Sequence, residues 1–125
     1  MVGVDPTVFV VDDDPSVRKA LRRLLRSAGL HVETFESAEE FLQFERNDGP
    51  SCLVLDIQMP GLSGLQLQEQ LATSGSTLPV IFITAYEDTN VRTRALDQGA
   101  ARFLEKPFDD DVLLDAIRSA TRDAA

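Results

Sequence analysis

Short apolar runs alternate with longer amphipathic stretches along the chain. Continuous apolar runs at residues 8–11, 53–55 and 80–83 are typical of strands that are buried on both faces of a parallel sheet. Weaker runs at residues 32–35 and 102–104 predict two outer strands.

Five stretches of helical periodicity lie between and after these runs, and several carry boundary signals. The first begins with Asp14 as a capping residue and Pro15 in the first helical position, and it stops at Gly29. The second is predicted to open with a capping box of Ser37 and Glu40. The other helices are expected at about residues 64–73, 88–98 and from 109 onwards.

This strand–helix alternation predicts an α/β fold of the doubly wound type. We expect a five-stranded parallel sheet of order 2-1-3-4-5 flanked by five helices, which is a flavodoxin-like arrangement. A length of 125 residues suits one domain, expected over residues 5–122. Such sheets bind ligands beyond the carboxyl ends of their strands, where the strand order reverses.

Polar side chains with chemical potential follow four of the predicted strands. Asp12 and Asp13 close the first apolar run, Asp56 and Thr84 close the third and fourth, and Lys106 follows the fifth. Because the first and third strands are predicted neighbours, their three carboxylates should meet in one crevice.

Such a meeting of acids has an energetic consequence. Two like charges about 4 Å apart repel by about 4 kcal/mol at an effective dielectric constant near 20. A hard divalent cation offsets this repulsion, and Mg²⁺ suits carboxylate and carbonyl ligands. A carboxylate nucleophile, a metal, a lysine and a hydroxyl together predict a phosphoryl-transfer site.

Other polar residues have simpler structural interpretations. Asp14 is assigned to helix capping, and the acids of residues 109–111 to the start of the last helix, where they favour the helix dipole. His31 and Cys52 are interpreted as structural, and the basic face of the first helix as a solvated surface. An acidic turn alone is unremarkable, but four strand-end signals together favour a site.

Composition excludes several classes of function. A net charge of −9 disfavours direct nucleic-acid binding, because a phosphate backbone would repel it. No apolar run approaches the roughly 20 residues of a membrane helix, and no secretion leader is recognised. The single cysteine, Cys52, fits a reducing compartment, so we expect a cytoplasmic protein.

Four sequence pieces resemble the response-regulator receiver family, and their wording is most similar to its FixJ-type subfamily. They are VFVVDDDP, LVLDIQMPGLSG, PVIFITA and FLEKPF, in the family's order and spacing between Thr7 and about Ala120.

The resemblance implies a role for each matching residue. Asp56 corresponds to the phosphoacceptor, Asp13 to a direct Mg²⁺ ligand, Asp12 to a ligand acting largely through water, and the backbone carbonyl of Gln58 to a further ligand. The remaining matches are the switch residues Thr84 and Phe103, the lysine Lys106, a cis proline at Pro107, and Gln58 with Tyr86 as side chains that control water access.

The resemblance also implies a signalling function. The expected partner is a sensor histidine kinase, and the expected response is a change at the face of the fourth helix and fifth strand. That change would favour a homodimer or an output domain, typically a C-terminal DNA-binding domain that lies outside this chain and controls transcription. Such a domain catalyses only its own phosphorylation and dephosphorylation.

Two competing functions remain open at this point. One is an aspartyl-phosphate phosphatase of the haloacid-dehalogenase type, although that class expects an acid where Gln58 stands. The other is a receiver-like interaction module that takes no phosphate, although such modules usually lack part of the acidic set or the lysine.

Overall fold

The computed structural model describes residues 6–45, 50–85 and 88–124. Strands and helices alternate throughout these residues: β1 Thr7–Val11, α1 Pro15–Ser27, β2 His31–Phe35, α2 Ala38–Gln43, β3 Ser51–Asp56, α3 Gly64–Thr73, β4 Val80–Thr84, α4 Thr89–Asp97, β5 Arg102–Glu105 and α5 Asp110–Ala124. The strands form one parallel sheet of order β2-β1-β3-β4-β5. The predicted fold is confirmed, while the predicted domain start at residue 5 lies outside the described residues.

Both faces of the sheet are covered, which explains the continuous apolar runs of the central strands. Along β1, Val8 and Val10 belong to a core with α1 and α5, whereas Phe9 and Val11 belong to a second core with α2, α3 and α4. None of the helices among the described residues is both long enough and apolar enough to cross a membrane.

The helix boundaries agree with most of the sequence signals. The Asp14 side chain accepts from the amide of Ser16 at 2.8 Å, with Pro15 in the first turn of α1. The Ser37 hydroxyl accepts from the amide of Glu40 at 3.0 Å, so the structure records only the serine half of the capping box predicted for these two residues. A complete box instead opens α3, formed by Ser63 and Gln66.

The short helix α2 is held in place by aromatic packing. The ring of Phe41 packs edge-on against those of Phe35 and Phe9, with centroids 5.3 and 5.5 Å apart. Phe44 adds contacts to the same two rings. These contacts fix the position of α2 beside the carboxyl edge of β1. A helix of six residues needs such contacts, because an isolated helix of that length is unstable in water.

Helix α3 begins in close contact with the end of β3. The amide of Gly64 donates to the carbonyl of Ile57 at 3.0 Å. A Cβ atom at Gly64 would clash with the carbonyl oxygen of Asp56 and lie 2.9 Å from the Cα of Ile57. The loop after β3 therefore turns into α3 only because residue 64 has no side chain.

We predict that Gly64→Ala lowers the unfolding free energy by about 3 kcal/mol, because the added methyl group meets backbone atoms that cannot move aside. The matched control is Gly29→Ala, where φ is +83° but no atom lies within 4 Å of an added Cβ. This control should lose only about 1 kcal/mol, the cost of a left-handed backbone. Urea unfolding measures both, and equal losses would contradict the close contact.

Candidate functional site

Three carboxylates meet at the carboxyl edge of the sheet. Val11 and Leu55 are paired in the register of β1 and β3, so Asp12 and Asp56 follow side by side. Asp12, Asp13 and Asp56 each offer one carboxylate oxygen within 4.8 Å of the others. The structure thus brings together the acids that the topology predicted to converge, in an arrangement able to hold a metal ion.

The three acids differ sharply in exposure. Asp12 is fully buried, Asp56 is 6% exposed, and Asp13 is exposed to solvent. Both oxygens of Asp12 are engaged, because Oδ1 accepts from the amide of Asp14 at 2.9 Å and Oδ2 lies 3.1 Å from Nζ of Lys106. Asp13 is therefore the acid that a hydrated cation meets first.

Lys106 reaches the acids from the loop after β5. Its amide donates to the carbonyl of Thr84 at 2.7 Å, which ties this loop to the end of β4. The peptide bond between Lys106 and Pro107 is cis, as the resemblance implied. The Lys106 ammonium places one positive charge against the buried Asp12.

The electrostatics of the crevice are clearest at Asp56. The pKa of Asp56 is raised from 3.8 to about 6, first by burial, then by the charge of Asp12, with a smaller contribution from Asp13. The Lys106 charge and the amide of Gln58, which donates to Asp56 Oδ1 at 3.2 Å, act in the opposite direction. Near neutral pH, keeping Asp56 ionised therefore lowers the stability of the fold, and a bound cation would offset this loss.

The two predicted switch residues lie on adjacent strands. Thr84, at the end of β4, is 2% exposed. Phe103 of β5 pairs with Phe82 of β4, and their ring centroids are 6.3 Å apart. Phe103 is half-buried, and the guanidinium carbon of Arg92 lies 6.0 Å from its ring centroid. Phe82, Thr84 and Phe103 share one face of the sheet because side chains alternate along each strand.

Two further predictions concern the rim of the crevice. Gln58 is exposed and contributes its amide to Asp56, while the metal-binding role of its carbonyl stays a prediction. Tyr86 lies outside the described residues, so its proposed control of water access also stays a prediction.

A family model described as the response regulator receiver domain matches residues 8–118. The chain belongs to this family. The receiver fold, and the similarity to FixJ-type regulators inferred from the sequence pieces, are confirmed by individual relatives.

Three relatives show how far the likeness extends. The transcriptional regulatory protein TdiR of Thauera aromatica is 48% identical over 118 residues, which cover 94% of this chain and 52% of TdiR. The structure of the response regulator StyR has a TM-score of 0.88 at 53% identity, covering 95% of this chain and 60% of that one. The FixJ-N crystal structure has a TM-score of 0.87 at 39% identity, covering 95% of each chain. This receiver chain thus spans about half the length of TdiR.

Two contacts around the receiver site are not predicted by the sequence patterns. Arg18, assigned to a solvated basic face, is largely buried and donates from Nη1 to the carbonyl of Asp12 at 2.8 Å. Its position one turn after the capping Asp14 was an available signal. Glu39 of α2 accepts from the amide of Leu62 at 3.2 Å, and no local pattern connects these two residues.

The structural interpretation of Cys52 is supported. The thiol lies buried in β3, and burial raises the pKa of Cys52 to about 12. Since the thiolate is the reactive form, this thiol is inert at neutral pH.

In metal-free protein, we predict that Asp56→Asn raises the unfolding free energy by an amount that grows with pH. The pKa of Asp56 is raised from 3.8 to about 6, so the folded protein binds this proton more tightly than the unfolded chain. The resulting stability is fully present below pH 3.8 and is lost as the pH rises through 6. The gain should be smallest below pH 4 and should grow by about 2–3 kcal/mol by pH 7.5. Urea unfolding in EDTA measures it, and a gain independent of pH would contradict the raised pKa.

Proposed function

We propose that this receiver is a switch in which Asp56 accepts a phosphoryl group from a sensor histidine kinase. The observation that carries the proposal is the meeting of Asp56 with Asp12, Asp13 and Lys106 at one edge of the sheet. An acid nucleophile beside two further acids and a lysine matches the needs of phosphoryl transfer, where positioning and charge neutralisation dominate.

The donor set fits Mg²⁺. All the available ligands are hard oxygens, namely the carboxylates of Asp13 and Asp56 and the carbonyl of Gln58, with Asp12 acting through water because both its oxygens are engaged. When bound, the ion offsets negative charge on the carboxylates and on the phosphoryl oxygens. A second support is the raised pKa of Asp56, which a nearby cation would lower.

The proposed reaction uses the ionised form of Asp56. A carboxylate oxygen attacks phosphorus in the kinase phosphohistidine, the phosphorus–nitrogen bond breaks with its electron pair leaving on the histidine nitrogen, and an acyl phosphate forms on Asp56. Lys106 and Thr84 bind oxygens of the transferred group from two sides. Water later cleaves the acyl phosphate and restores the carboxylate.

We propose that Thr84 and Phe103 pass the state of Asp56 to the surface. A phosphoryl oxygen that accepts from the Thr84 hydroxyl would draw the end of β4 toward Asp56. Phe103 lies two register positions from Thr84, on the same face of the sheet, and its ring would turn inward from beneath Arg92. The face of α4 and β5 would then change shape and favour a homodimer or an output domain.

The competing enzymatic function is less well supported. A phosphatase of the haloacid-dehalogenase type would need a second acid where the exposed Gln58 stands, so we propose that catalysis is limited to the receiver's own phosphorylation and dephosphorylation. A receiver-like module that takes no phosphate is disfavoured, because this chain keeps the three acids and the lysine. The carboxylates lie within 4.8 Å of one another, and Lys106 pairs with Asp12.

Transcription is the proposed output. The relative TdiR is named as a transcriptional regulatory protein and is about twice as long as this chain. We therefore propose a C-terminal DNA-binding domain as the element that the receiver controls. The free, buried Cys52 suits the reducing cytoplasm, which is our proposed location.

We predict that acetyl phosphate with Mg²⁺ adds one phosphoryl group to the protein and that Asp56→Asn abolishes this addition, because the amide is no nucleophile. The control is Asp111→Asn, an exposed acid in the first turn of α5 outside the crevice, which should be labelled like the wild type. Intact-protein mass spectrometry measures the product. Undiminished labelling of Asp56→Asn would overturn the assignment.

A further inference from the structure

A side chain of α2 contacts the loop that joins Asp56 to α3. Oε2 of Glu39, in α2, accepts from the amide of Leu62 at 3.2 Å. The neighbouring Gly61 has φ of +76°, and a Cβ atom there would lie 2.7 Å from the same Glu39 oxygen. The carboxylate therefore rests directly against loop backbone, in a place that only glycine at position 61 leaves open.

The same loop carries the backbone groups that border the acidic crevice. The amide of Gln58 donates to Asp56, and its carbonyl is the proposed metal ligand. The loop ends are fixed, since Gly64 donates to Ile57 and Ser63 begins the capping box of α3. Between these ends, the buried side chain of Met59 and the contact with Glu39 restrain the middle of the loop.

The helix that carries Glu39 is packed against the core. Glu39 lies between Ala38 and Phe41, both fully buried or nearly so, and Phe41 packs within the cluster of phenylalanine rings. Glu40 is the next residue of the same helix. Like Glu39 it is exposed, and its backbone amide donates to the capping hydroxyl of Ser37. The two adjacent acids carry the same charge, but within the described part of the chain the hydrogen bond to the loop comes from Glu39.

We propose that Glu39 is a positioning residue of the receiver: by binding the Leu62 amide, it holds the loop after Asp56 and so sets the affinity of the crevice for Mg²⁺. This inference rests on the metal site of the proposed function. Residues that orient ligands from outside the ligand set tune metal affinity in this way.

The test compares the wild type with Glu39→Ala, Glu39→Gln and Glu40→Ala. In metal-free protein, Glu39→Ala should speed the exchange of the Leu62 amide with water, measured by NMR, because the amide loses its acceptor. Titration with MgCl₂ should give a Kd raised by about threefold to tenfold for Glu39→Ala, as expected when a charged acceptor at a hydrated position is lost.

The other two variants separate the hydrogen bond from the charge. Glu39→Gln removes the charge but keeps an acceptor oxygen, so it should stay within about twofold of the wild type. Glu40→Ala removes an equal charge next door and should also stay within about twofold. Equal weakening in all three variants would assign the effect to charge alone and overturn the proposal.

A double-variant comparison with Gly61→Ala gives an independent readout. The new methyl group should push the Glu39 carboxylate away, so Gly61→Ala should weaken Mg²⁺ binding in the wild-type background. In the Glu39→Ala background, the same change should weaken binding much less, because the contact is already gone. Losses that multiply independently would contradict a shared contact.

The outcomes distinguish this inference from the proposed function. A wild-type receiver that binds no Mg²⁺ at millimolar concentration would overturn both the metal site and the role of Glu39. A wild type that binds Mg²⁺, together with a Glu39→Ala variant of unchanged Kd and unchanged Leu62 exchange, would overturn the role of Glu39 alone.

Discussion

The structure depends on the crowding of three carboxylates at one edge of a parallel sheet. Because β1 and β3 are neighbours, Asp12, which follows β1, lies beside Asp56, which ends β3, and both side chains are buried. Ionised acids in that position repel one another and resist burial. The residues around them either offset this cost or leave it available for a ligand to remove.

Asp12 and Asp56 share this cost unequally. Asp12 is compensated, since Lys106 and the Asp14 amide bind its carboxylate and Arg18 binds its carbonyl. Asp56 receives one backbone hydrogen bond, and its pKa stays raised. Asp56 is buried, and the nearby Lys106, which pairs with Asp12, offsets its charge only in part. Such an acid is well placed to bind a cation and to take up a phosphoryl group. The folding stability that is lost by burying ionised Asp56 therefore favours the binding of a ligand at this site.

Most of the fold and the centre of the site could be predicted from the sequence, because parallel strands deliver their last residues to the same edge. Contacts that cross between distant segments could not be predicted. Arg18 was assigned to a solvated face, and whether an arginine folds back onto a strand end depends on the placement of α1. Glu39 reaches Leu62 only because phenylalanine packing orients α2. Ser37 and Ser63 carry similar capping signals, yet only Ser63 forms a complete box, since side-chain geometry decides whether the reciprocal bond closes.

The most direct test of this crowding is the number of protons released when Mg²⁺ binds. Calorimetric titrations in buffers of different ionisation enthalpy count these protons. With the pKa of Asp56 at about 6, binding should release about half a proton at pH 6 and almost none at pH 8. Asp56→Asn should release almost none at either pH. Mg²⁺ binding without proton release from the wild type at pH 6 would contradict the account.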